Sequence, residues 1–322
     1  SGNFNMGSID LGIYTLEYSS NNYKTATQTA ILEKDTQTLN TATQIMIPNS
    51  CSGGNVSGTI KDAVTGDAIS GVLLSVREGS DNRTGETISG KTDTTDSSGA
   101  YTISSLDAGS FTIQGTKTGL IPTYFNITSC SGLSNKNANM TSILAKGEMR
   151  IVLSWEGAED FDSHLEIPCT SGTCSGSDAN DPSHLWYNTN QSDNVTFTGV
   201  NTIDWHQWGN GDYVTLDQDN TDGSATSCGD DCGPETITIS KIRSGSYRYH
   251  VHAWDRKGAN TTHLADNSTV VQVFYDIDQS KNFYVPSGNG DLWTVFDYDN
   301  SSGFTTLNTM GSEDNQSKVD DH

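Results

Sequence analysis

Apolar and polar residues alternate with a period of two along most of this chain. The clearest run is Ser98–Ile113, SGAYTISSLDAGSFTI. Tyr101 and Ile103 alternate with polar neighbours, as do Phe111 and Ile113, and Asp107-Ala108-Gly109 interrupts the run between them. A strand places successive side chains on opposite faces, so this pattern predicts a strand, a tight turn and a second strand.

The run occurs twice. Ser1–Leu16, SGNFNMGSIDLGIYTL, aligns with it without a gap at an offset of 97 residues, with identities at 1/98, 2/99, 8/105, 10/107, 12/109 and 15/112. The apolar class is kept at Phe4/Tyr101, Met6/Ile103, Ile9/Leu106, Tyr14/Phe111 and Leu16/Ile113. Chance would supply about one identity in such a window, so this is an internal repeat. Residues 51–97, ahead of the second copy, hold further strand patterns. The first copy therefore reads as the back half of a domain that is incomplete in this chain. Its apolar face, Phe4, Met6, Ile9, Tyr14 and Leu16, is expected to be bare, with unpaired strand edges beside it. A sequence that simply starts mid-domain is one explanation; completion by a cleaved, still-docked peptide or by strands donated from a neighbouring subunit is the favoured one.

Taken in order, the pattern predicts strands near 3–9, 12–19, 23–33 and 41–47, then Pro48-Asn49-Ser50 as a linker. Within 51–145 it predicts Val56–Ile60, Val72–Val76, Thr84–Thr92, Ala100–Ile103, Ser110–Thr116, Thr123–Thr128 and Met140–Leu144. Beyond these lie Met149–Trp155 and strands near 162–167, 195–198, 202–206, 236–242, 246–254, 269–276, 283–285 and 292–298. Short strands separated by turn residues predict an all-β chain of tandem Ig-like β-sandwich domains, the first incomplete. The expected units are 1–48, 51–145 and 146–310, followed by an acidic mobile tail at 311–322.

Two resemblances refine this layout. Val56-Ser57-Gly58-Thr59-Ile60 with Thr65-Gly66, then Gly71-Val72, Thr95–Tyr101 and Leu106–Phe111, resemble the carboxypeptidase regulatory-like family of Ig-type, prealbumin-like domains. The resemblance covers nearly all of 51–145 and, through the repeat, 1–48. It implies a spacer or adhesion module, and no H-x-x-E motif of the zinc carboxypeptidases themselves occurs in the chain. In 146–310, Leu153-Ser154-Trp155, Asp160–Leu165, Leu216-Asp217, Gly233–Ile237 and Tyr249–His252 are similar to the YfaP-type β-sandwich of prokaryotic surface proteins.

Charge narrows the partners. With 17 Lys+Arg against 40 Asp+Glu, the net charge is −23 over 322 residues. Such a chain repels nucleic acid and anionic membranes and attracts cations. No apolar run approaches the roughly 20 residues of a membrane span. The six cysteines fall into pairs, Cys51 with Cys130, Cys169 with Cys174 and Cys228 with Cys232. Their spacings are wrong for C-x2-C zinc sites, so three disulfides and an oxidising, extracellular or cell-surface location are expected. Ten N-x-S/T sequons permit glycosylation without requiring it.

The candidate chemistry is acidic first. Asp160 and Asp162 stand two apart at a strand start, Asp217, Asp219 and Asp222 cluster in one stretch, and Glu235 follows the Cys228/Cys232 turn. Calcium takes six to eight oxygens from such residues, although Gly223 and Cys228 stand where an EF-hand loop would not place them. A solvated acidic loop is the plainer alternative. His164, His250 and His252 form a second set, able to ligate zinc or copper. With Asp162 the same histidines give a metal-dependent hydrolase as an alternative, but no nucleophile motif accompanies them. Trp205, Trp208 and Tyr213 could stack on a surface glycan. The combined reading is a secreted, non-enzymatic structural or adhesive protein, with filament assembly by strand complementation and a calcium- or glycan-binding module as the finer and alternative versions.

Overall fold

The computed structural model describes residues 4–33, 39, 41, 44–157, 159–168, 184–187, 201–204, 213–220, 234–256, 258–277 and 279–321. The fold is all-β. It opens with a two-stranded sheet, β1 (Gly12–Tyr18) against β2 (Ala26–Leu32). Residues 4–10 are irregular where a strand was expected over 3–9, and 44–47 are irregular where one was expected over 41–47. A strand needs a neighbour for its backbone groups, and no described strand flanks either segment.

The next seven strands build a sandwich. These are β3 (Gly54–Asp62), β4 (Leu73–Glu78), β5 (Thr92–Thr94), β6 (Ala100–Leu106), β7 (Gly109–Thr116), β8 (Thr123–Ser129) and β9 (Ala138–Met140). One sheet runs β6-β3-β9 and the other β5-β4-β7-β8. The core between them holds Val56, Ile60, Leu74, Val76, Ile103, Leu106 and Ile113, all fully or nearly fully buried. The strand expected over Thr84–Thr92 is reduced to β5, because Asn82 ties its side chain to Gly85 N and Glu78 O and turns the chain away. The tight hairpin expected at Asp107-Ala108-Gly109 is instead a crossover. Strand β6 belongs to one sheet and β7 to the other. Both present their apolar residues inward, which a turn between facing sheets satisfies as well as a hairpin does.

The repeat is structural as well as sequential. In β1–β2, Gly12 pairs with Leu32 and Tyr18 with Ala26. In β7–β8, Gly109 pairs with Ser129 and Gly115 with Thr123. Shifting the first register by 97 residues reproduces the second. The difference lies on the outer side. Strand β7 is paired there by β4, with Val76 opposite Ile113 and Glu78 opposite Phe111, while no described residue pairs with the outer edge of β1. The hairpin instead docks through β2, where Thr29 N donates to Ser80 O and Ser80 N donates to Thr27 O. Gly79, at φ +82°, permits that approach, since a Cβ there would meet Thr27 Oγ1 at 2.4 Å.

The remaining strands make a larger sandwich. They are β10 (Met149–Ser154), β11 (Phe161–Glu166), β12 (His184–Leu185), β13 (Asn201–Asp204), β14 (Tyr213–Gln218), β15 (Glu235–Ile239), β16 (Ser246–Ala253), β17 (Val270–Tyr275), β18 (Gln279–Tyr284), β19 (Leu292–Asp299) and β20 (Gly303–Gly311). Six strands run β13-β14-β15-β10-β17-β18 and five run β12-β11-β16-β19-β20. Strands β12, β14 and β20 were not among those expected, and the strand expected near 195–198 lies outside the described residues. The tail expected to be mobile is packed down. Residues Gln316–Asp321 form a 3-10 helix with Gln316 and Val319 buried.

The two sandwiches touch through an apolar patch of their own. Ala63, Ile121 and Leu144 from the first meet Val152 and Phe274 from the second. The alternation explains how. On β17, Val271 and Val273 face their own core, so Phe274 faces out. Polar bonds ring the patch, with Thr236 Oγ1 donating to Ala63 O and Asn282 Nδ2 to Tyr124 O.

Two predictions follow from this packing. The Cys51–Cys130 disulfide closes a separation of 79 residues, which the chain-entropy model values at about 4 kcal/mol. Replacing both cysteines by serine should lower urea-denaturation stability by about that amount. Phe274→Ala should cost about 3–5 kcal/mol and should split one calorimetric unfolding transition into two, because it empties the patch shared by the sandwiches.

Candidate metal centre

Strand β11 sends Phe161 and Leu165 into the core of the larger sandwich, and β16 sends Tyr247, Tyr249 and Val251 there. The alternate residues, Asp162, His164 and Glu166 on β11 and Arg248, His250 and His252 on β16, share the opposite face. Register places Asp162 opposite His252, His164 opposite His250, and Glu166 opposite Arg248. An outward face is ordinarily wet, yet here Asp162 is 4% exposed and His164, His250 and His252 are 0% exposed. Trp186 and the chain end cover them. The Trp186 ring stacks on both His164 and His184, Gln316 Nε2 donates to Asp162 Oδ2 at 2.7 Å, and His252 Nε2 lies 2.9 Å from Glu313 O.

Two groups of potential ligands result, and Asp162 belongs to both. Asp162, His164 and His252 each place a ligand atom within 4.8 Å of the others, and so do Asp162, Asp219 and Glu235. Glu235 reaches across from the six-stranded sheet, where the short β12 leaves the start of β11 uncovered. Its Oε2 accepts the Ser163 N–H at 2.6 Å. Burial raises the Glu235 carboxyl well above its usual range, and the neighbouring Asp162 and Asp219 raise it further. Burial raises Asp219 as well. Burial, then the charges of Asp162, Asp219 and Asp160, push the Tyr187 hydroxyl up to about 12, and Asp160 belongs to neither ligand group among the described residues.

The imidazoles of His164 and His184 are held neutral. His164 is driven well below its ordinary value by burial and then by the neighbouring histidines. His184 is lowered to about 3 by burial and by His250. His164 Nδ1 and His184 Nε2 share a hydrogen bond of 2.9 Å. A neutral imidazole is the form that ligates a metal.

Other expected residues lie elsewhere. Asp217 sits in the register break between Leu216 and Gln218, so it does not share a face with Asp219. It accepts the Thr238 hydroxyl, and burial raises it to about 6 against the opposing pull of that bond and of Arg150. His250 is directly opposite His164 but is engaged by Thr294 Oγ1 at 3.0 Å and Glu166 Oε1 at 3.1 Å. Asp222, Cys169, Cys174, Cys228, Cys232, Trp205 and Trp208 lie outside the described residues, and Tyr213 is exposed on β14. Residues the sequence reading did not single out are His184, Asp291 and Gln316. The alternation His184-Leu185-Trp186 was the signal for the first, whereas nothing local pointed to the other two.

A separate cleft of about 660 Å³ runs between the sandwiches, lined among others by Tyr124, Asn135, Lys136, Asn137, Asn139 and Trp155.

Residues 55–141 match the carboxypeptidase regulatory-like domain. No curated protein matches the chain. Among solved structures, a type II Cohesin-X-Dockerin complex from Acetivibrio cellulolyticus shares 20% identity over 28% of this chain and 59% of its own, at a TM-score of 0.22. The full-length major pilin SpaD from Corynebacterium diphtheriae shares 10% over 72% and 65%, at 0.24. The major pilin subunit BcpA of Bacillus cereus shares 12% over 72% and 69%, at 0.22. The chain thus spans less than two thirds of the first two. Similarities this slight assign it neither an activity nor a partner.

Gln316 is the test of whether the chain end seals the cluster. Gln316→Ala removes a hydrogen bond to a buried carboxylate, and such bonds contribute about 1.5–3 kcal/mol. Chemical denaturation should show a loss of that size, and the indole fluorescence of the folded variant should change as water reaches the Trp186 face.

Proposed function

We propose that this chain is an extracellular, non-enzymatic structural or adhesive protein whose β1 edge accepts a further strand from a separate polypeptide. The observation that carries this reading is the apolar row beside β1. Phe4, Met6, Ile9, Leu11 and Ile13 are between 43% and 67% exposed, whereas Tyr14 and Leu16, which were also expected to be bare, are half-buried. Exposed apolar residues next to an unpaired strand edge mark a surface for β-augmentation.

The repeat specifies the partner. Strand β4 pairs with β7, so a strand of the Leu73–Glu78 kind suits β1, with the counterpart of Val76 opposite Leu16 and that of Glu78 opposite Tyr14. The Cys51–Cys130 disulfide supports an oxidising location. Among the described residues no helix is long and apolar enough to cross a membrane. The burial of Asp162, His164 and His252 favours a structural over a catalytic role for them, since among the described residues they present no open face to a substrate.

A synthetic peptide spanning residues 71–80 tests the reading. It should bind the purified chain, as followed by fluorescence anisotropy, and slow hydrogen exchange within Gly12–Tyr18, while a scrambled peptide does neither. No binding, together with full exchange protection of β1 in the isolated monomeric chain, rejects strand addition.

A further inference from the structure

The face formed by β11 and β16 is built as a ligand set, and three observations bear on which ligand. First, His164 is fully buried, and its Nε2 has no hydrogen-bond partner among the described residues. Burying a ring nitrogen without a partner costs free energy comparable to a lost hydrogen bond. Secondly, the other nitrogens are already oriented. His164 Nδ1 is held by His184 Nε2. His252 Nε2 is held at Glu313 O, a pure acceptor, with Asp291 Oδ2 at 3.3 Å. Donating to a carbonyl fixes the proton of His252 on Nε2, which makes Nδ1 the basic nitrogen of that ring. Such outer contacts are how metal-ligating histidines are set. Thirdly, Asp162 is common to this group and to the carboxylates of Asp219 and Glu235, all within 4.8 Å in their respective groups. Glu235 Oε1 is likewise buried without a hydrogen-bond partner among the described residues.

We propose that His164 Nε2, His252 Nδ1 and the Asp162 carboxylate bind one divalent transition-metal ion of the zinc class. Two imidazoles and one carboxylate suit a borderline-soft ion, whereas calcium takes oxygens only. The ion gives His164 Nε2 its partner and offsets the charge of the buried Asp162 carboxylate. Its role is to lock the chain end, through Glu313 and Gln316, onto the five-stranded sheet. This site is independent of strand addition at β1.

The test uses the full chain, stripped with chelator and titrated separately with zinc, cobalt and calcium. One equivalent of zinc or cobalt should bind, cobalt should show the visible bands of nitrogen ligation, and the melting temperature should rise. His252→Gln and His164→Gln should each weaken zinc binding by at least about 100-fold, and Asp217→Asn should leave it unchanged. Where a histidine variant does not fold, the imidazole nitrogen resonances of the unmodified chain are read instead, and zinc should shift those of His164 and His252. The proposal fails if the folded chain takes up no zinc or cobalt, or if both histidine variants bind zinc as before. It also fails if only calcium binds, which would assign the ion to Asp162, Asp219 and Glu235.

Discussion

One carboxylate joins the three parts of this molecule. Asp81 sits just after β4 at φ +56°. Its Oδ2 accepts Gln28 from the β1–β2 hairpin, and its Oδ1 accepts Asn126 of the smaller sandwich and Tyr284 of the larger. Hydrogen bonds to a charged group are among the stronger ones, at about 1.5–3 kcal/mol each. The left-handed backbone is what lets one short side chain face three partners, and aspartate tolerates that conformation better than most residues. Ser80, immediately before it, carries the backbone bonds to β2, and Gly79 N donates to Ser110 O of β7. Three consecutive residues, Gly79, Ser80 and Asp81, thus govern how the hairpin and both sandwiches meet.

Strand identity was readable because it is written in local alternation, and β4, β6, β7, β10, β11, β16 and β19 fall where alternation puts them. Pairing was less readable. Leu106-Asp107-Ala108-Gly109 looks like a hairpin turn whether its strands pair or face each other across a core. The docking of this last segment was invisible, because GSEDNQSKVDDH reads as polar, and among its described residues only Gln316 and Val319 are buried. The pairing of Asp217 with Asp219 failed for a similar reason. A one-residue irregularity reverses alternation, and no composition signal announced it.

The carboxylates and imidazoles on the outer face of β11 and β16 show a second limit of pattern reading. Polar residues at alternate positions normally mean a solvated face. Here a tryptophan, a short strand and a 3-10 helix from 130 residues further on close that face over. The residues were legible as chemically unusual, but their burial depends on segments remote in sequence. His184 and Asp291 belong to the arrangement for the same long-range reason.

The Cys51–Cys130 bond has a mechanical meaning apart from its thermodynamic one. The two cysteines bracket all but the last strand of the smaller sandwich, with Cα atoms 5.2 Å apart. A pull applied along the chain enters at Cys51 and leaves at Cys130 through covalent bonds. The 79-residue separation would otherwise pay out roughly 270 Å of extended chain. The load path bypasses β3 to β8, so these strands keep their register while force is transmitted past them. A module wired in this way behaves as an inextensible link, and any stretch must be taken up by the segments on either side.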